Sequence, residues 1–380
     1  MVAFVNELPN GAAIEDGWVL HHRFHGPAKW QVGVHHMKAW AVFDGERLVA
    51  WIGGVDLNNN RTPRQDPANY WHDVQAEVEG EAAEHVYELL RKRWETHPAK
   101  PPGTDIPSPL ALRPDVARQR ARIVATFGDP TTYAGLGPPG ITRQTALPYP
   151  FASHGSTAYR QLVAHCIAKA RRFIYLEDQY LIDESIAMLL AEAMPHLSAL
   201  MILMPVTDGW VVPPYTRHPD GLTEVLGVGG ELRQAWARRK RFLNHLAPHR
   251  AKVAICTRER FVHAKTWIFD DTVAVIGSAN VNRRGFKHDS EAAVAFGDIT
   301  PADAVRTLRL ELWNRHLATT APPPTLPAEK ALPLWQNPPS ASRITRYNPD
   351  AGKDRAPTPV PLLPEDWFWD NVVDPDCPPT

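Results

Sequence analysis

The chain has 380 residues, enough to bury a large core in one domain or several, and its 41 Lys and Arg against 42 Asp and Glu leave a formal net charge of −1. That balance excludes a global electrostatic pull toward nucleic acid or an anionic bilayer, so any attraction to phosphate must be local. Three scattered cysteines (Cys166, Cys256, Cys377) exclude a disulfide framework and a cysteine zinc cluster, and no basic-then-apolar leader or ~20-residue apolar run is found, so a chain in the cytoplasm or peripheral to the inner membrane face is expected.

In chain order, His21, His22 and His25 with His35 and His36 make a histidine-dense start. No carboxylate or further ligand stands at zinc spacing, so this reads as a loop beside a site, and neither a metal nor a cofactor is expected. HHMKAWAVFDGERLVAWIGGVDLN follows, from His35 to Asn58, then an acidic cluster, WHDVQAEVEG, and a helix. PAKPPGTDIPSPLALRP and GDPTTYAGLGPPG are Pro/Gly-rich connections around one strand, RARIVATFG.

From Ala158 the pattern sharpens. TAYRQLVAHCIAKARR sets Leu162, Cys166 and Ile167 at helical spacing, and FIYLEDQYL is a strand. DESIAMLLAEAMPHL is a capped helix, ALMILMPV a strand, and 222–249 a largely helical stretch. Its Gly227 to Gly230 turn follows no strand and precedes no Lys-Ser/Thr, which argues against a phosphate loop. Its basic run, Arg233, Arg238, Arg239, Lys240 and Arg241, reads either as a solvated face or as a surface for anionic headgroups or a nucleic-acid backbone. AKVAICT, HAKTWIF and TVAVIG predict three more strands, and PADAVRTLRLELWNRHL a closing helix; strands alternating with helices and ending in a hairpin indicate an α/β sandwich. Beyond Thr319 a Pro-rich tail is left without regular structure, and its WFWD, Trp367 to Asp370, reads as a packing anchor.

The chain repeats itself. The segment from His35 to Asn58 aligns with VHAKTWIFDDTVAVIGSANVN, Val262 to Asn282, pairing His36 with His263, Lys38 with Lys265, Gly53-Gly54 with Gly277-Ser278, Asp56 with Asn280 and Asn58 with Asn282. WHDVQAEVEG likewise aligns with KHDSEAAVAFG, and two copies of one unit are expected. The second copy has 105 residues between position 158 and His263, whereas only 35 precede His36, so the first copy is expected to be either shortened by about 70 residues or rebuilt.

Residues two apart on a strand share a face, which sets His263 beside Lys265. Asp270, five from Lys265, is expected on the other face, holding the hairpin turn, and Asn280 can bring its amide back toward the histidine. Two such units suit phosphodiester exchange: one imidazole attacks phosphorus, while the other protonates the leaving alkoxide and later activates water or an alcohol. Lys38, Lys265, Ser278, Asn280 and Asn58 would hold the non-bridging oxygens. Each imidazole needs a carboxylate on its far nitrogen; Asp73, and Asp289 or Glu291, are the candidates.

HAKTWIFDDTVAVIGSAN resembles the His-x-Lys-x4-Asp-x6-Gly-Ser-x-Asn signature of the phospholipase D superfamily, and IYLEDQYL, WHDVQAEVEGEAA and NRRGFKHDSE are similar to segments of bacterial members. The resemblance covers most of residues 30 to 317. It implies an α/β/α sandwich built from two pseudo-twofold-related repeats around one metal-free site, with the first repeat incomplete here, His36 as nucleophile and His263 as general acid and base. Three positions depart from the family pattern. Asp44 lies six residues from Lys38 rather than five, which calls for a bulge or a turn position; Asp56 replaces an amide; and Gly285 stands where a serine is frequent. Gly53, Gly54 and Gly277, with Asp44, Asp56 and Asp270, are the structural part of the motif.

The expected organisation is a first half over 1–130, a connection over 131–157, a second half over 158–317 and the tail over 318–380. The expected activity is phosphodiester hydrolysis or transfer on a phospholipid through a phosphohistidine, with water or an alcohol as acceptor. Peripheral membrane contact is allowed, nucleic acid is disfavoured by the net charge, and no obligate protein partner is implied. A nuclease-like phosphodiesterase and a non-catalytic interaction module are the alternatives.

Overall fold

The computed structural model describes residues 35–56, 70–96, 100, 102–107, 119–129, 149–205, 238–258, 260–298, 303–318 and 327–347, and the backbone alone of 29–30 and 142–143. Its earlier elements are β1 (Lys29–Trp30), β2 (Ala39–Phe43), β3 (Leu48–Gly53), β4 (Gln75–Glu79), α1 (Glu81–Glu95) and β5 (Gln119–Phe127). There follow β6 (Thr142–Arg143), β7 (Ser156–Thr157), α2 (Ala158–Lys169), β8 (Phe173–Glu177), α3 (Glu184–Ala193), β9 (Ala199–Pro205) and β10 (Val253–Arg258). The last are β11 (Thr266–Phe269), β12 (Val273–Gly277), α4 (Arg283–Lys287), β13 (Glu291–Asp298), α5 (Ala304–Leu317), α6 (Leu332–Gln336) and β14 (Ile344–Arg346). Residues 238–246 are also helical.

Nine of the described strands form one mixed sheet in the order β14-β10-β9-β8-β11-β12-β13-β5-β7, and β2, β3 and β4 form a second. The centre of the large sheet is covered on both faces, which is why β8 and β9 are unbroken apolar runs rather than alternating ones. Phe173, Tyr175, Met201 and Leu203 enter one core with Leu312 and Trp313 of α5. Ile174, Leu176, Leu200 and Ile202 enter the other with Val163 of α2 and Leu190 of α3. Period-two alternation therefore feeds two cores and produces the α/β/α sandwich expected from the sequence. Asp183 starts α3 as its cap, accepting from the Ser185 N–H at 3.0 Å.

In the small sheet, Leu48 and Ala50 of β3 pack on Ala83 and Val86 of α1, while Ile52 and Val74 turn into the first core of the large sheet. β5, which precedes the 131–157 connection in the chain, pairs along all of β13, from Glu291↔Thr126 to Asp298↔Gln119. The sheet thus crosses the expected division between the halves.

Three expectations need correction. The His-x-Lys residues lie just ahead of β2 and β11 rather than on them, although the chain there is extended and ladder-like bonds continue to Lys38 and Lys265. Part of the tail is regular: α6 and β14 belong to the domain, and fully buried Trp335 packs against Trp313 at 5.5 Å and Tyr175 at 5.3 Å between ring centroids. The basic run is not a free face: Arg238 and Arg239 are buried, Arg239 donates to the carbonyls of Gln179 and Tyr180, and Arg241 pairs with Glu184 at 2.8 Å. His21, His22, His25, Arg233, the Gly227 to Gly230 turn, Trp367 to Asp370 and Cys377 lie outside the described residues. Cys166 and Cys256 are buried free thiols.

Candidate active site

The two motifs are held by the same backbone pattern. In the first, the Gly53 N–H donates to the Lys38 carbonyl, Gly54 N–H to Val74, and His36 N–H to Ser290; in the second, Gly277 donates to Lys265, Ser278 to Ala292, and His263 to His72. Isolated parallel bridges join His35 to Ser290 and His72 to Val262. Each motif therefore lies along the acidic segment that follows the other motif. The pseudo-twofold can be read from these bonds residue by residue: it exchanges His36 with His263, Ser290 with His72, and Glu291 with Asp73.

The imidazole partners obey that exchange. His36 Nδ1 lies 2.8 Å from Glu291 Oε1, and His263 Nδ1 lies 2.7 Å from Asp73 Oδ2. A carboxylate can only accept, so each Nδ1 carries the proton, and Nε2 is the atom of each ring left for chemistry. Alignment of the two His-Asp pairs by sequence sets Asp73 opposite Asp289. The structure moves the match by two residues to Glu291, a shift that keeps the same face of an extended chain. Asp289 is instead held by the Arg284 guanidinium at 3.2 Å.

The carboxylates are braced differently. The buried Ser278 hydroxyl donates to Glu291 and accepts from the Ala292 N–H at 3.0 Å, so its role is to fix that carboxylate rather than to meet a phosphate. In the other half the shorter Asp73 lies against Gly54, where any Cβ would collide with it, and accepts from Val74 N–H at 2.9 Å. Glu with Ser and Asp with Gly are two fillings of one space.

Both lysines turn back on their own motif: Lys38 Nζ donates to the His36 carbonyl at 2.7 Å and Lys265 Nζ to that of His263. Lys38 is also 3.3 Å from Asp56, whose other oxygen lies 3.9 Å from His263 Nε2. Burial pushes the Lys265 ammonium down to about 8, with Lys38 adding to the effect and Asp73, Asp178 and Asp56 opposing it. Asp178, raised by burial to about 6 against the pull of Lys265 and three backbone N–H groups, accepts from Val281 N–H and steadies the turn after Asn280. Asn280 is buried, with its amide oxygen lacking a partner. Trp71 and Phe261 rings lie 5.3 and 6.4 Å from the His263 ring and form an aromatic flank.

The motif aspartates sit at the far ends of the hairpins. Asp44 takes the N–H groups of Glu46 and Arg47, which hold its carboxyl below the usual range, and the register from Ala39↔Ile52 to Phe43↔Leu48 is unbroken. The sixth residue of spacing is therefore one more strand pair and not a bulge. Asp270 accepts from Arg171, Arg172 and Phe173 N–H at 2.7, 2.8 and 2.8 Å, tying its turn to the start of β8. Gly285 donates to Asn282, the cap of α4, and a Cβ there would crowd Asn280. Asn58 lies outside the described residues.

A cluster that sequence reasoning missed lies directly behind Asp73. Glu177 accepts from His72 Nε2 at 2.5 Å, from His316 Nε2 at 2.9 Å and from the Tyr175 hydroxyl at 2.5 Å, all buried. Burial raises the Glu177 carboxyl, but His72 and His316 together outweigh it and hold it well below the usual range. Three ligand-type atoms converge here. Their separations are those of hydrogen bonds, however; bonds of ~2.0–2.2 Å to one ion would force an acute angle between donors only 2.5 Å apart. The group is a hydrogen-bonded clamp between the halves, and the hint in the sequence was that His72 adjoins Asp73.

Residues 163–313 match a family described as "Cardiolipin synthase, PLD-like domain". Phospholipase D alpha 1 of Vigna unguiculata is 23% identical over 72% of this chain and 46% of its own, and that of Arabidopsis thaliana 22% over 74% and 49%. The chain thus spans about half the length of the curated relatives it matches. The crystal structure of phosphatidylserine synthase from Haemophilus influenzae gives a TM-score of 0.49 at 13% identity, covering 74% of this chain and 61% of that one.

Proposed function

We propose that the chain is a phospholipase D-type enzyme, similar to that superfamily over residues 163–313 and to plant phospholipases D, and that it cleaves a phospholipid phosphodiester through a phosphohistidine formed and resolved by protein groups alone. The observation that carries this reading is the crossed pair of imidazole–carboxylate contacts, His36 with Glu291 and His263 with Asp73. Neither half completes its own histidine, so the site exists only as a joint product of both.

His36 Nε2 attacks phosphorus while Glu291 holds the proton on Nδ1 and balances the positive charge that grows on the ring. The P–O bond breaks as His263 gives its Nε2 proton to the leaving alkoxide. Neutral His263 then takes a proton from water or an alcohol, whose oxygen attacks phosphorus and breaks the P–N bond, returning both imidazoles to their first state. Lys38, Lys265 and the Asn280 amide are the groups available for the non-bridging oxygens. Burial makes their charges and dipoles count for more than they would in water.

The test is hydrolysis of phosphatidylcholine in mixed micelles by wild type, His36→Ala and His263→Ala, with and without chelator. The expected result is turnover that chelator leaves intact and each substitution abolishes. Activity retained in His36→Ala, or lost to chelator, would overturn the reading. Release of nucleotides from DNA or RNA with no action on lipid would favour the nuclease alternative.

A further inference from the structure

At one paired position beside the histidines the two halves differ in charge. Gly53-Gly54-Val55-Asp56 and Gly277-Ser278-Ala279-Asn280 correspond through their backbone bonds, so an aspartate in the first half stands where the second half has an amide. Asp56 Oδ2 lies 3.9 Å from His263 Nε2, and Oδ1 lies 3.3 Å from Lys38 Nζ. His263 is thereby set between two carboxylates, Asp73 on Nδ1 and Asp56 toward Nε2, whereas His36 has one, Glu291, within ion-pair distance among the described residues. His263 is also the more enclosed ring, with 6% of its side chain exposed against 27% for His36.

We propose that Asp56 is a positioning residue that holds the proton on His263 Nε2 and so decides which of two symmetry-related histidines serves as acid and which as nucleophile. This rests on the reading of His263 as proton donor to the leaving group. A negative charge at this distance favours the imidazolium and aims its N–H into the cleft. Among the described residues, the other charged groups near His263 do not supply that bias. Asp73 is matched by Glu291 on the other ring; Lys265 and Lys38 disfavour the imidazolium; Asp178 acts on Lys265; and Arg260 is stacked on Tyr70 at 4.0 Å. Glu177 is occupied by His72, His316 and Tyr175. A free amide in the second half leaves His36 without an equivalent pull, as a nucleophile that must be neutral requires. Lys38 offsets the Asp56 charge, so the carboxylate can remain beside an incoming phosphate.

The test is the titration of both imidazoles by NMR in wild type and Asp56→Asn, a substitution that makes the halves alike at this position and keeps the side-chain shape. The expected result is that His263 releases its proton about one pH unit lower, a tenfold change in its ionisation, while the His36 signals keep their profile. An unchanged His263 titration, or equal shifts in both rings, would overturn the proposal. A second arm reads kcat/KM against pH: in Asp56→Asn the high-pH limb should retreat by the same amount for an alkyl leaving group, and the loss should vanish for an aryl leaving group that departs unprotonated. A His263 shift in a protein that cleaves no phosphodiester would keep the Asp56 coupling and reject the proposed function, so the two can fail separately.

Discussion

Glu291 and Asp289 are two residues apart and differ in everything they touch. The first meets His36 and Ser278, the second Arg284. Glu291→Gln should lower kcat by about 10²–10⁴-fold, because an amide can neither force the Nδ1 proton nor balance the attacking ring. Asp289→Asn, in the same assay, should stay within about threefold; equal losses would contradict the pairing. Lys265 makes a pH statement at the same scale. Its ammonium titrates near 8, so it is charged below that and neutral above, and inhibition by inorganic phosphate should weaken about fivefold from pH 8 to 9. A flat inhibition constant across that window would assign phosphate binding elsewhere. The sign for folding is the reverse: the unfolded chain holds this proton up to about 10.4, so the shift costs stability below 8 and is relieved as pH rises between the two values.

At the scale of elements, β8, α5 and the segment before β4 meet at Glu177. In Glu177→Gln the new NH2 group can only donate, leaving one of the His72, His316 and Tyr175 donors unpaired, and denaturant unfolding should show a loss of about 2–4 kcal/mol. Wild-type stability in that variant would show that the clamp does not join the halves. His316 adds an acid sensitivity. Burial chiefly, with His72 and Arg258 adding to it and Glu177 opposing, lowers it to about 4, so the unfolded chain takes up a proton near 6.5 that the folded one refuses, and stability falls as pH drops through that interval. Elements were legible in the sequence where a period was strong: β8, α2, α3, β9 and the β11–β12 hairpin follow from apolar runs, helical spacing and a capping aspartate. The offset between Asp73 and Glu291 was not legible, since His-Asp recurs in both copies and only the bridges at His35 and Val262 fix the register. Nor were α6 and β14 in a Pro-rich tail, because the contacts that hold Trp335 come from Trp313 in the preceding helix and from Tyr175, far away in the chain. Arg238 and Arg239 looked like surface for the converse reason: both are buried, and the acceptors of Arg239 are backbone carbonyls, which no composition reveals.

Across the whole molecule, the two motifs differ in the charge beside the histidines, yet each segment supplies the carboxylate that the other's histidine uses. The proposed intermediate would be bound to one particular ring of that pair. The measurement that tests this most directly uses His263→Ala with a phosphodiester bearing an aryl leaving group, quenched and mapped by mass spectrometry. Without the base for the second step the intermediate should accumulate, with the added phosphoryl mass on the peptide containing His36 and none in His36→Ala. Adduct on any other residue, or turnover without an adduct at His36, would contradict the account.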